Sequence, residues 1–180
     1  MMKLIFYCYW QVCLLKNSPE NTPYSHFLLG LSAILFALTL IIQWQFSDII
    51  FSDDVFIILM IAISLIFSFI VYCYIILLFK GFIGRLVQTL TCIFCTQLII
   101  HILACPLVLL EPYLVNAHIK NPLVLFIGVM YLFITLGLSV WQFVITAHIF
   151  KYALSTTAIQ SVLAAFGLMA VNILTVSLWR

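Results

Sequence analysis

Leu86 to Leu110 reads LVQTLTCIFCTQLIIHILACPLVLL, and this stretch decides what kind of molecule the chain makes. It holds no charged residue over a length that exceeds the ~18 apolar residues of a candidate membrane-spanning helix. Yet it carries Gln97, His101, Cys105 and a late proline, Pro106, inside that apolar run. An ionisable side chain at bilayer depth is costly and is by default a functional hypothesis.

The rest of the chain is of the same kind. Of its 180 residues 67% are hydrophobic and 7% are charged. A soluble domain needs a largely polar exterior, so this composition belongs to the polytopic membrane class. Further apolar runs cover residues 26–46, 55–79, 122–150 and 158–179, giving five spans with 86–110. The fold expected is an all-α transmembrane bundle over residues 26–180, preceded by a helix and linker at 1–25. The fourth run is long enough to require tilt or an interfacial end. Ala33 with Ala37, and Ser64 with Ser68, are small residues four apart, which permit close helix approach.

Residues 4–15, LIFYCYWQVCLL, lie between Lys3 and Lys16 and are too short to span. Tyr7, Tyr9 and Trp10 suit a headgroup region, so this stretch is expected to be an interfacial helix. A helix packed on the bundle is the competing reading. Pro19 and Pro23 break the chain before Ser25, a candidate cap for the first span. The connections are Ser47–Asp54, which is acidic, Lys80–Arg85, which is basic and glycine-containing, Glu111–Asn121, and Lys151–Thr157.

Lys and Arg set the expected orientation. Lys3, Lys16, Lys80, Arg85 and Lys151 gather on one side, and Lys120 and Arg180 on the other. The imbalance predicts a cytoplasmic N-terminus and an outside C-terminus. The net charge of +2 is small and scattered, so no basic patch exists for nucleic acid.

Gln97, His101 and Cys105 follow four-residue spacing and are expected on one inward face, toward Gln142 or Asn172. One reading of that face is a proton relay or ligand contact. The other is a neutral histidine hydrogen-bonded between helices as packing. Haem needs two axial histidines at one depth, and His101 lies nearly 20 Å deeper than His148 by helical rise. His26 and His148 share a boundary and are expected to be able to meet, but two histidines without carboxylate or thiolate are a weak metal signal. Cys92 and Cys95 sit two to three turns into an apolar helix, away from the charges that activate a thiol pair, and read as small interfacial residues. None of the six cysteines forms a pair in a loop, so no disulfide framework is expected. No hydrolase or metalloprotease motif is present, and no carboxylate lies deep in a span. No catalytic residue, cofactor or metal is expected.

Two stretches carry a family likeness. Gly81-Phe-Ile-Gly-Arg-Leu-Val-Gln-Thr-Leu90, followed by Cys105-Pro106-Leu107, forms a basic glycine turn that enters a polar third span. Val140-Trp-Gln-Phe-Val-Ile-Thr-Ala-His-Ile149 leads to Ala153-Leu-Ser-Thr156 and then Ala164-Ala165. Together these resemble the Yip1 family of small five-span membrane proteins, over about residues 27–178. The likeness implies fold and topology. It lacks the long soluble N-terminal region of eukaryotic members, so partnership with small GTPases is not implied. The minimal form is similar to bacterial members, which places it in a bacterial inner membrane. The expected role is accessory or organising, through helix-mediated contact with membrane lipids, other membrane proteins or its own copies. The competing role is a small-solute or proton transporter component using the Gln/His face.

Overall fold

A computed structural model of the chain describes residues 2–46, 55–115 and 122–179. The acidic connection, Lys120 and Arg180, on which part of the orientation argument rests, lie outside the described residues. Six helices make up the described chain: α1 (Met2–Cys13), α2 (His26–Phe46), α3 (Val55–Lys80), α4 (Leu86–Val115), α5 (Pro122–Ala153) and α6 (Ala158–Ser177). Helix is what such apolar segments require, since inside a bilayer each backbone N–H and C=O must be satisfied within the segment. Five of them, α2 to α6, are long and apolar enough to cross a membrane.

The spans agree with the hydropathy reading to within a few residues, with one difference. The helix starting at Leu86 runs to Val115, so Glu111–Val115 continues it rather than opening a loop. Both Pro106 and Pro112 lie inside that helix. Each removes one backbone hydrogen bond, a loss that neighbouring groups can absorb in membrane helices.

The five long helices close into a ring in the order α2, α3, α6, α5, α4, with α4 also reaching across to α3. At the centre the rings of Phe36, Phe69 and Phe94, from three different helices, meet with centroids within 6.0 Å of one another, one pair stacked and the others edge-on or tilted. All three are essentially inaccessible. Such aromatic pairs add about 0.5–1.5 kcal/mol each beyond the area they bury.

The basic end of the ring is tightly finished. Three helices stop there in the same way, with a residue of positive φ at Leu15, Gly81 and Ser155. In each, the following N–H reaches back five residues: Lys16 to Gln11, Phe82 to Leu77, Thr156 to Lys151. Glycine is the natural residue there; leucine and serine hold the same left-handed conformation at a steric cost. Arg85 ties the pieces together, donating to the Tyr152 carbonyl and the Ser155 hydroxyl, both at 3.0 Å, and pairing with Glu20 at 2.7 Å.

The short helix α1 is docked. Tyr9, Val12 and Cys13 are buried, while Phe6, Tyr7, Leu14 and Leu15 are exposed. Tyr7 is thus open to the surroundings, whereas the headgroup placement is corrected for Tyr9, whose ring turns inward to the α4 cysteines. Trp141 of α5 donates its indole N–H to the Cys13 carbonyl at 3.0 Å, and His148 meets the Asn17 carbonyl at 3.1 Å. Ser25 caps α2 as expected, accepting from the Leu28 N–H.

Burial pushes the Cys13 thiol up to about 12 from 9.0. A raised acid pKa means the folded state favours the neutral thiol. That contribution to α1 docking is complete below pH 9.0 and is lost as pH rises from there toward 12. Maleimide labelling of a Cys13-only variant is therefore expected to be slow at pH 8 and to accelerate above pH 9 by more than a free thiol does. Labelling at the free-thiol rate at pH 8 would show that α1 is not docked.

Candidate functional site: two polar clusters between the helices

Two polar clusters lie between the helices. The first joins α4, α5 and α6 around a cavity of about 120 Å³. Gln142 donates its amide to the Gln97 carbonyl oxygen. Asn172 lines the same cavity, with Ser139 and Thr146. From α3, the Ser68 hydroxyl comes within 3.5 Å of Asn172 Oδ1. At ~1.5 Å per residue, Gln97, Gln142 and Asn172 lie roughly 16–21 Å from the basic ends of their helices. They meet because antiparallel neighbours of similar length bring equal depths together. The lining offers donors and acceptors but no ionisable group, so it suits water or a neutral hydrogen-bonding solute.

The second cluster joins α2 and α4. Gln43 donates through Nε2 to the His101 backbone carbonyl at 2.6 Å. Its Oε1 lies 2.7 Å from His101 Nδ1. A carbonyl oxygen cannot donate, so Nδ1 carries the hydrogen of this bond. Gln43 also approaches the Cys105 sulfur at 3.9 Å. The Phe36 ring closes one side, 5.5 Å from the imidazole centre.

The expected single face is thus divided. Gln97 turns to Gln142 and Asn172 as anticipated, whereas His101 and Cys105 turn to α2. The reason is helical geometry: residues four apart are offset by about 40°, so Gln97 and Cys105 diverge by about 80°. Gln43 was not anticipated. It lies one turn from the end of α2 beside Gln45, where a glutamine reads as a boundary residue. The hydroxyls of Ser139 and Thr146 were equally silent, because in an apolar helix such groups commonly bond their own backbone, as both do here.

His26 and His148 do not meet; His26 pairs with the Tyr24 hydroxyl at 3.2 Å and His148 with the linker. Cys92 is buried 3.4 Å from the Thr22 hydroxyl, and all six cysteines are free thiols. Among the described residues no group of three or more His, Cys, Asp and Glu is placed to hold a metal ion.

The chain is a helical membrane protein on its five apolar spans. Comparison with protein-family models, with curated proteins and with solved structures finds no match.

Proposed function

We propose that this chain is a non-catalytic integral membrane protein of Yip1-like type, with an accessory or organising role exercised through helix-mediated binding of membrane partners or lipids. One observation carries the reading. The carboxamides and the imidazole at depth are engaged with one another across helices, Gln43 with His101 and Gln97 with Gln142. That use of polar groups holds helices in register. The gathering of Lys16, Lys80, Arg85 and Lys151 at one end supports a cytoplasmic N-terminus.

Affinity purification from native membranes in mild detergent, with every co-purifying protein identified, tests the role. A stoichiometric membrane partner is expected. A bare monomer, together with unaltered membrane complexes after deletion of the chain, would overturn it.

The cavity beside Gln97 favours a second reading, passage of a small neutral solute. Uptake into liposomes abolished by Gln97→Leu, in protein that still folds, would establish that reading instead.

A further inference from the structure

At the basic end, α3 and α6 part to leave a groove of about 400 Å³ on the membrane-facing surface. Its wall is apolar: Ile76 and Phe79 from α3, Leu163 from α6, and Leu154 from the turn between α5 and α6. Its floor is Tyr72, whose hydroxyl is already engaged, donating to the Ala164 carbonyl at 2.6 Å. Its mouth carries Lys80, the last residue of α3, and Gln160, in the first turn of α6. Lys80 has no acidic partner among the described residues; the ion pair at this end is Arg85 with Glu20.

The groove therefore has a direction. From Lys80 to Tyr72 it descends about 12 Å at ~1.5 Å per residue. A cation and an amide stand at the water-facing end with Thr156 of the turn, and aliphatic and aromatic side chains line the rest. A soluble anion would leave the wall unused, and an apolar helix would leave the ammonium facing hydrocarbon.

We propose that this groove binds an anionic phospholipid, with its phosphate at Lys80 and Gln160 and one acyl chain against Ile76, Phe79 and Leu163. The occupant follows from charge complementarity: a lysine near an anionic headgroup contributes roughly 1 kcal/mol, and its apolar stem can lie along the wall while the ammonium reaches the headgroup level. The Thr157 side chain makes no capping bond to α6, which leaves first-turn amides turned to the same end. The proposal rests on the reading that the chain works through its membrane-facing surface, but it is tested separately from any protein partner.

The test is native mass spectrometry of the full chain after equilibration with phosphatidylglycerol or phosphatidylcholine in mixed micelles. Wild type is expected to retain phosphatidylglycerol in preference to phosphatidylcholine. Lys80→Gln should weaken phosphatidylglycerol retention about fivefold, equivalent to about 1 kcal/mol, and leave phosphatidylcholine unchanged. Lys151→Gln removes a charge at the same end but outside the groove, and should have no effect. Leu163→Trp fills the groove from an exposed wall position and should lower retention of both lipids. Equal retention of the two lipids by wild type, or equal losses in Lys80→Gln and Lys151→Gln, would overturn the proposal. Co-purification of a protein partner is unaffected by either result, so the two readings fail independently.

Discussion

Gly167→Ala is expected to lower the melting temperature of the purified protein by roughly 4–8 °C, corresponding to about 2 kcal/mol for a chain of this size. A Cβ at this position would lie 2.1 Å from the Tyr72 hydroxyl and 3.1 Å from the ring carbon that bears it. The tyrosine is held there by its bond to the Ala164 carbonyl. To admit a methyl group it must swing out and forfeit that bond, or α3 and α6 must separate. Gly30→Ala serves as the control, because nothing lies within 4 Å of its added carbon. It should be neutral or slightly stabilising, since alanine is the better helix former. Adding Tyr72→Phe to Gly167→Ala removes the closest atom and should recover part of the loss. An unchanged melting temperature for Gly167→Ala would mean that the two helices do not approach as described.

The second large effect concerns the clamp between α2 and α4. Gln43→Leu leaves the His101 Nδ1–H without its acceptor in an apolar surrounding, and His101→Leu strands the Gln43 oxygen in turn. Each single change is expected to cost about 1–2 kcal/mol. The double replacement by leucine should cost less than the sum, because no polar group is then left unpaired. Unfolding by SDS in mixed micelles, run as a double-mutant cycle, measures the coupling. A coupling of about 1 kcal/mol is expected, whereas strict additivity would show that the two side chains are not bonded to each other.

These two sites also show where the sequence was readable. The spans were legible because length and hydropathy are enough when the surroundings are hydrocarbon: α2 begins at His26 and ends at Phe46 as read. The meeting of Gln97 with Gln142 was legible from depth alone, since both lie near the middle of antiparallel spans. The Gln43 partnership was not, because rotation about the axis, rather than depth, decides which neighbour a side chain meets. The docking of α1 was open for a different reason. A 12-residue apolar helix is equally at home at a lipid interface or in a groove, and only Trp141 and the α4 cysteines on the other side decide it. Gly167 carried no signal at all, since the tyrosine it admits lies on another helix.

One feature of α5 has a mechanical side. From Pro122 to Val144 none of its residues is buried, whereas most of Ile145–Ala153 is. With 32 residues it is about 48 Å long, against a hydrocarbon core of ~30 Å. It is therefore held most tightly at its basic end and leaves much of its remaining length exposed. A helix longer than the hydrocarbon core is accommodated by tilt, and the packing at its basic end sets the direction in which the rest of α5 runs. Gln142 lies just before the tightly packed stretch, beside the small polar cavity.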